Sequence, residues 1–397
     1  MTTEILPPPR RSIGPVAWLR ENLFSTWYDA VLTIVLGAVL AIAALRVGEW
    51  VVSGARWDVV TGNLRLFLVG QYPFDLAWRI WLGLAMLSIL AGLSAAIFGS
   101  AVRTLALWLA AGQLLLAGLA ALSGLGPVVT GLLVLSAAFV AATFALGLRR
   151  PVARRPLVIA WLVSVPILGV LLGGLPTLGL PTVGTNLWGG LLLTVLIAAV
   201  GIILSFPFGV LLALGRRSDL PAVRILSTAY IELIRGVPLV TVLFMADIML
   251  PLFLPGEVRI DRVARAMGGV TLFSAAYVAE NVRGGLQAIP AGQIEAAHAL
   301  GLNALQRNLS IVLPQALRAV IPANVGLFIS LLKDTTLVVT VGLLELVGIG
   351  RAVLAQPESV GAQLEVYVFI GAVFFVLCYT MSQASYRLET ALGVGRR

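Results

Sequence analysis

Long runs without a charged side chain are the feature that most constrains this fold. Residues 104–148 and 156–215 contain no Asp, Glu, Lys or Arg, and neither do residues 80–102. A helix needs about 20 apolar residues to cross the hydrocarbon core of a bilayer, so each of the two longer runs is long enough for two crossings. Only 11% of the whole chain is charged, whereas soluble domains approach about 25%. The sequence therefore predicts a multi-spanning membrane protein.

The spans are predicted to be helices. Strands of a transmembrane β-barrel alternate apolar and polar residues, whereas these runs are apolar throughout. Clusters of glycine and proline at 123–127 and 173–184 divide the two longest runs. We predict an all-α polytopic membrane helical bundle with about ten spans, at 30–52, 80–102, two within 104–148, two within 156–215, 237–255, 264–284, 318–346 and 366–387.

The positions of the arginines predict the orientation. The net charge of +9 comes from 26 arginines and one lysine against 18 acids. If the N-terminus is cytoplasmic, most arginines between spans fall on the cytoplasmic side, which agrees with the positive-inside rule. The exceptions lie in two outside loops, at Arg56, Arg65, Arg259, Arg262 and Arg265. We predict cytoplasmic N- and C-termini and a cytoplasmic tail at residues 1–29; nucleic acid is not an expected partner, because these arginines form no polar face.

Several kinds of site are excluded by single residues. The lone cysteine, Cys378, excludes an internal disulfide, and the lone histidine, His298, excludes a multi-histidine metal site. The one lysine, Lys333, follows two leucines instead of a glycine-rich phosphate loop, so the chain lacks that ATP-binding motif. We expect no metal and no cofactor on this chain. An enzyme is not favoured either, because Glu280 and Asp334 are not at a recognisable catalytic spacing.

The two halves of the chain differ in chemistry. Spans between residues 30 and 185 are almost free of charge, whereas residues 186–397 place acids and bases in or near their spans, namely Asp247, Glu280, Arg283, Lys333, Asp334 and Glu345. A charge at the bilayer centre costs at least about 2.5 kcal/mol, so such residues pair with one another or line a polar path. Function is predicted to lie in the second half.

A polar segment at residues 285–317 is too hydrophilic to span. Apolar residues recur in it at roughly helical spacing, at Ile289, Ile294, Ala297, Leu300, Leu305, Leu309 and Val312. Gly301 and Asn303 supply a break between two short helices. The pattern predicts a helix–glycine–helix elbow on the cytoplasmic side.

The same segment carries a family resemblance. Glu295, Ala296, Ala297 and Gly301, followed by Ile311, Leu313 and Pro314, are similar to the EAA loop of ABC-importer permeases. The flanking stretches YIELIRGVPL (230–239), AAYVAENVRGGLQAIPAGQIEAAHALG (275–301) and LLKDTTL (331–337) resemble the histidine/glutamine-type permeases for polar amino acids, over roughly residues 186–390. The extra N-terminal spans, with the stretch at 57–79, resemble the longer permease subunit of general L-amino-acid importers.

The resemblance implies that different segments of the chain, and different partner proteins, have different roles in transport. Residues 186–397 would form a type I ABC-importer permease core, and residues 30–185 an extra transmembrane region of about five spans. The loop at 285–317 would form the coupling helix that enters a cleft of an ABC ATPase dimer, which binds ATP and Mg²⁺. Other implied partners are a second permease subunit, homologous or identical, and a periplasmic amino-acid-binding protein. The location would be the bacterial inner membrane, with L-amino acids moving into the cytoplasm.

Two questions stay open at this stage. The residues predicted to line the translocation path are Glu280, Asn281, Arg283, Lys333, Asp334, Thr335 and Thr336. They offer an acid and a base for a zwitterionic amino acid, but Glu280 with Arg283, and Lys333 with Asp334, could equally be ion pairs that lock the bundle. The alternative function is a secondary amino-acid transporter driven by an ion gradient, although no internal repeat of the kind common in such proteins is evident.

Overall fold

The computed structural model describes residues 14–150, 153–256 and 258–393. Within these ranges the regular secondary structure is helical, and only isolated β-bridges occur besides. Packing divides the chain into two compact units, Met1–Arg56 and Trp57–Arg397. Part of the predicted cytoplasmic tail, residues 1–13, lies outside the described residues, as do Arg396 and Arg397.

The first unit contains two helices, α1 (Pro15–Leu23) and α2 (Trp27–Glu49), and a π-helical turn at Trp50–Gly54 continues α2. Thr26 caps α2, because its hydroxyl accepts a hydrogen bond from the Asp29 backbone N–H at 3.3 Å. No side chain of α2 is buried, although the helix is strongly apolar. Such a surface suits contact with lipid, and the first predicted span is confirmed as a helix.

The second unit begins with two short helices and four long ones. Their bounds are α3 (Trp57–Gly62), α4 (Leu64–Val69), α5 (Trp78–Ile97), α6 (Ser100–Leu122), α7 (Pro127–Arg149) and α8 (Arg154–Gly173). Small residues let α5 and α7 approach closely: a Cβ added to Gly92 would lie 2.4 Å from the Val140 carbonyl oxygen. Side chains also bridge these helices, since Gln113 Nε2 donates to Ser88 Oγ at 2.9 Å and Trp161 Nε1 to Ser94 Oγ at 2.9 Å.

One predicted boundary among these helices is wrong. The predicted second span ran to residue 102, with Arg103 in the connection, but α5 ends at Ile97 and Arg103 lies inside α6. Gly99 makes the turn, because its φ of +90° is a conformation that favours glycine. The Arg103 side chain reaches back to donate from Nε to the Ala95 carbonyl at 3.1 Å. Arg103 therefore lies at the membrane boundary and is not part of the turn.

The rest of the chain forms the C-terminal bundle. Its helices are α9 (Gly190–Gly215), α10 (Pro221–Arg235), α11 (Leu239–Phe244), α12 (Leu250–Phe253), α13 (Arg262–Gln287), α14 (Ala291–Ala299), α15 (Ala304–Arg307), α16 (Leu313–Asp334), α17 (Leu346–Leu354) and α18 (Gln363–Leu392). A 3₁₀ segment, Thr335–Val341, extends α16. Helix α10 was missed by the sequence analysis, because it is amphipathic and carries charges that were assigned to a connecting segment.

The number of spans agrees with the prediction. Within the described residues, eight helices are long and apolar enough to cross a membrane, and α10 with α11–α12 makes a ninth, bent by 109°. Helix α13 has 26 residues, a length of about 39 Å at 1.5 Å per residue, and crosses the centre of the bundle despite its charges. These ten segments correspond to the predicted spans.

The core of the C-terminal bundle is the packing of α13 between α9 and α16. Valine and alanine side chains on α13 are fully buried there, including Val270, Ala275 and Val278. Glycines permit the close approach: a Cβ added to Gly209 of α9 would lie 2.5 Å from Val278, and one added to Gly285 of α13 would lie 2.7 Å from the Ala316 carbonyl oxygen. This tight contact holds the 285–317 loop directly beneath the bundle.

The N-terminal helices of the second unit pack against this bundle. Trp108 of α6 and Tyr379 of α18 form an edge-to-face pair with ring centroids 5.7 Å apart. Val59 and Phe67, from α3 and α4, are buried in one cluster with residues of α17 and α18. Residues 57–185 therefore share a compact unit with residues 186–397.

Candidate functional site

The 285–317 loop has the predicted elbow. Helix α14 ends at Ala299, and Gly301 turns the chain with a φ of +71°. Helix α15 begins with a reciprocal cap, in which the Gln306 N–H donates to Asn303 Oδ1 at 2.9 Å and the Asn303 N–H donates to Gln306 Oε1 at 3.1 Å. The break at Gly301 and Asn303 is confirmed, and its physical reasons are a left-handed glycine and a capping asparagine.

One face of the elbow is anchored and the other is exposed. Ala297 is 1% exposed, and Ile294 packs against the cluster at the base of α13 and α16. Glu295 and Ala296 are exposed. Leu300 is 77% exposed at the end of α14. Glu295, Ala296 and Leu300 therefore form the exposed face of the elbow.

The remaining residues of the resemblance follow the elbow. Ile311 and Leu313 are half-buried and Pro314 is exposed. Pro314 lies at the start of α16, where the helix needs no N–H from that residue. The two arms of the elbow are also joined directly, since Arg307 Nη1 lies 2.8 Å from His298 Nε2. The loop is therefore a compact, internally bonded projection.

A cluster of charges lies above the elbow and centres on Glu280. Arg283 donates from Nε to Glu280 Oε2 at 2.9 Å and from Nη2 to Oε1, so this pair is two-pronged. Arg216 and Arg235 approach the same carboxylate, at 3.6 and 3.5 Å, and Arg216 also contacts Glu232 at 2.9 Å. The ion-pair interpretation of Glu280 with Arg283 is therefore correct. The sequence analysis missed Arg216 and Glu232, because they lie on α9 and α10 far away in the chain.

Asn281 points to a different neighbour. Its Nδ2 donates to Oδ1 of Asn324 at 3.0 Å, which joins α13 to α16. Asn324 is only 3% exposed. Such a hydrogen bond between polar side chains holds two membrane helices together. The sequence analysis did not single out Asn324, although a polar residue inside a predicted span was a signal for it.

The second set of predicted path residues lies at the other end of α16. Lys333 is exposed and forms no salt bridge or hydrogen bond with any described residue, and Asp334 is half-buried beside it without an ion pair. Thr335 is buried, with its hydroxyl donating to the Leu332 carbonyl at 2.7 Å, and Thr336 is half-buried. The ion-pair interpretation of Lys333 with Asp334 is wrong.

The two sets do not meet within one copy of the chain. Asn324 marks the level of Glu280 and Asn281, and Asp334 lies ten residues further along α16. At 1.5 Å per residue this separates the two levels by about 15 Å along the helix. The structure thus brings Glu280 and Arg283 together, places Asn281 beside them, and leaves Lys333 to Thr336 at a separate level.

Arg262 and Arg265, two of the arginines that contradicted the positive-inside rule, share an acidic partner. Arg265 donates from Nη1 to the Asp247 carbonyl at 2.7 Å, and its Nη2 lies 3.0 Å from Asp247 Oδ1. Arg262 reaches the same carboxylate at 3.4 Å. Arg262 and Arg265 border a cavity of about 400 Å³ together with Asp261 and Trp188. The positive-inside rule counts basic residues and gives acids little weight, so these arginines remain exceptions to it despite their pairing with Asp247.

Glu345 has a structural position. The predicted ninth span placed it near the membrane interior, but it caps α17, accepting hydrogen bonds from the N–H groups of Val347 at 2.8 Å and Gly348 at 2.9 Å. Its side chain is fully buried. This burial raises the pKa of the Glu345 carboxyl, and the two backbone hydrogen bonds oppose the shift. Glu345 belongs to the frame of the bundle.

Comparison with known proteins agrees with this architecture. Residues 205–389 match the family described as binding-protein-dependent transport system inner membrane component. The chain is 37% identical to the inner membrane amino-acid ABC transporter permease protein YhdY of Escherichia coli (strain K12), over 98% of this chain and 97% of that protein. It is 39% identical to the glutamate/glutamine/aspartate/asparagine transport system permease protein BztC of Rhodobacter capsulatus, again over 98% and 97% of the two chains.

A solved structure is also similar. It is the crystal structure of an amino acid ABC transporter with histidines, which is 28% identical and has a TM-score of 0.46, over 51% of this chain and 92% of that one. The two full-length relatives have the N-terminal helices as well as the C-terminal bundle, since the alignments cover nearly all of each chain. The chain therefore belongs to the multi-pass inner-membrane permease subunits of amino-acid ABC transporters.

Proposed function

We propose that this permease moves L-amino acids from the periplasm into the cytoplasm, driven by ATP that a separate ABC ATPase dimer binds with Mg²⁺ and hydrolyses. A second permease subunit, homologous or identical, completes the membrane channel, and a periplasmic binding protein delivers the amino acid. The N- and C-termini face the cytoplasm. Relatives that are named as amino-acid ABC transporter permeases over the full chain favour this function over an ion-gradient-driven transporter.

The observation that carries the proposal is the exposed face of the elbow. Glu295, Ala296 and Leu300 project from an internally bonded loop that is fixed beneath the tight α13–α16 contact. Small side chains permit close approach of a partner, and the exposed Leu300 side chain would bury apolar area against it. A movement of the ATPase subunits would be transmitted through Ala297 and Ile294 to α13 and α16.

The experiment is uptake of labelled L-amino acids into proteoliposomes that hold the chain with its partner permease, ATPase and binding protein. Leu300→Glu is the test variant, because it places a charge in the proposed interface without touching the anchored face. We expect ATPase recovery with the membrane subunits and ATP-driven uptake to fall about tenfold or more, which corresponds to about 1.4 kcal/mol of binding free energy.

Leu300→Met is the matched control, because it keeps an apolar side chain of similar size, and its uptake should equal that of the native protein. Glu295→Lys and Gly301→Val extend the test, the latter because a β-branched residue is strained at a φ of +71°. Full uptake in all three test variants would contradict coupling through this loop. Uptake by the chain alone on an ion gradient would contradict ATP-driven transport.

A further inference from the structure

A cavity lined by arginines lies beside the elbow and has no part in the proposed coupling contact. It has a volume of about 400 Å³ and lies between the end of α9, the start of α10 and the elbow. Four arginines line it, Arg216, Arg217, Arg224 and Arg307, and no acidic residue does. We call it the arginine cavity.

Most of this positive charge has no acidic partner. Arg216 is the member that forms salt bridges, with Glu232 and Glu280. Arg217 donates to the Leu286 carbonyl at 3.2 Å, and Arg307 bonds to His298 and Asn308. Among the described residues the Arg224 side chain forms no hydrogen bond or salt bridge. Three guanidinium groups facing one cavity without a carboxylate repel one another, so a bound anion would stabilise the site.

The surroundings of the cavity favour an anion that belongs to a lipid. Arg216 and Arg217 directly follow α9, a span of 26 residues, so the cavity lies at the membrane boundary. Next to it, apolar side chains of α10 and its cap are widely exposed: Leu220 is 64%, Ile225 64% and Leu226 71% exposed. Guanidinium groups bind phosphate in two-pronged geometry, and basic cavities between spans on the cytoplasmic side bind anionic head groups.

We propose that the arginine cavity binds the phosphate head group of an anionic phospholipid from the cytoplasmic leaflet, while the acyl chains lie along the apolar side of α10. The lipid joins two parts of the molecule, because Arg217 and Arg224 belong to the α9–α10 connection and Arg307 to the elbow. It therefore holds the elbow against the bundle from the membrane side.

Lipid retention tests the proposal directly. The full chain, purified with its partner subunits, is exchanged into detergent containing either phosphatidylglycerol or phosphatidylcholine, and the bound lipid is counted by native mass spectrometry. We expect phosphatidylglycerol to be retained by the native protein, and its retention to fall about tenfold in Arg217→Gln/Arg224→Gln, since two of the phosphate contacts are lost. Equal retention of the two lipids by the native protein would overturn the proposal.

Two further variants separate the cavity from general surface charge and from misfolding. Arg149→Gln/Arg150→Gln removes two exposed arginines at the end of α7, on the same predicted face but outside the cavity, and should retain the lipid fully. Arg224→Gln alone removes no hydrogen bond among the described residues, so it should fold normally and still lose retention. Equal loss in the α7 variant, or full retention in both cavity variants, would overturn the proposal.

Competition identifies the source of the anion. Inorganic phosphate at millimolar concentration should not displace phosphatidylglycerol, because it lacks the acyl chains that contact α10. Displacement by phosphate would assign the cavity to a free anion instead. Retention of the lipid by the permease subunits alone, but not in the complex with the ATPase, would assign the cavity to an acidic segment of the ATPase. Either result would overturn lipid binding, and neither depends on whether the protein transports amino acids.

Discussion

Glu280 accepts contacts from three arginines that come from three different elements, α10, α13 and the end of α9. Removing its charge leaves these guanidinium groups facing one another in a partly buried site. We expect Glu280→Gln to lower the free energy of unfolding by about 1–3 kcal/mol, the cost of leaving such groups unsatisfied. The measurement is the apparent melting temperature of the detergent-purified chain.

The control for Glu280 is an exposed pair on α2. Arg46 and Glu49 lie 3.5 Å apart, with side chains 79% and 67% exposed. Exposed pairs of this kind contribute little to stability, so Glu49→Gln should leave the melting temperature unchanged. Equal melting temperatures for the Glu280 variant and the native protein would show that the cluster is not structural.

Lys333 differs from Glu280 because it lacks a salt bridge within the described part of the chain. Its charge lies in the segment Asn308–Val341, which is apolar enough to span the membrane. Holding it there requires water or a ligand anion, and a substrate carboxylate would satisfy it. We expect Lys333→Met to raise the KM for amino-acid uptake about tenfold, equivalent to about 1.4 kcal/mol, without lowering the melting temperature.

Lys333→Arg supplies the comparison for this prediction. It retains the positive charge, so it should recover most of the native KM if the residue attracts a carboxylate. A lowered melting temperature with an unchanged KM would instead assign Lys333 a structural role. The two measurements therefore distinguish a residue on the path from one that stabilises the bundle.

At the scale of single elements, the close contact of α13 with α16 depends on Gly285. An added Cβ there would lie 2.5 Å from Val320 and 2.7 Å from the Ala316 carbonyl oxygen. Because the backbone oxygen cannot move aside without shifting α16, we expect Gly285→Leu to cost about 1–3 kcal/mol through overpacking. Its melting temperature and its monodispersity in size-exclusion chromatography measure the effect.

Gly284 is the matched position for this test. Nothing lies within 4 Å of a Cβ added there, and it occupies the same helix. Gly284→Ala should stabilise the chain slightly, by up to about 1 kcal/mol, since alanine favours a helix. Similar destabilisation by both variants would mean that the loss of glycine, and not the close approach of α16, is responsible.

An element could be predicted from the sequence when the residues that cause it are close neighbours in the chain. The spans and the break at Gly301 were predictable, because hydropathy and glycine act over a few neighbouring residues. The turn at Gly99 was misplaced, because a nearby arginine was taken as the loop. The convergence of Arg216 and Arg235 on Glu280 could not be predicted, since it depends on the packing of α9, α10 and α13.

At the scale of the whole molecule, the ten spans and the arginine positions predict which connections face each side of the membrane. The connection between α6 and α7 and the one between α17 and α18 should face the periplasm, whereas the α9–α10 connection and the elbow should face the cytoplasm. The chain suits a labelling test, because Cys378 is its only cysteine. Cys378→Ser provides a background in which single cysteines can be introduced.

Four positions report on these connections: half-buried Ser123 and exposed Val360 on the predicted periplasmic side, and exposed Asp219 and Ala299 on the predicted cytoplasmic side. In intact spheroplasts a membrane-impermeant maleimide should label Ser123→Cys and Val360→Cys, and it should label Asp219→Cys and Ala299→Cys only after permeabilisation.

Reversal of the labelling pattern at all four positions would overturn the orientation. Reversal of Asp219 and Ala299 alone would place an even number of spans between residues 123 and 219 and between 299 and 360, so one of α7, α8 and α9, and also α16, would not cross as assigned. The membrane boundary beside the arginine cavity depends on the same result, because a cytoplasmic Asp219 puts Arg217 and Arg224 at the anionic leaflet.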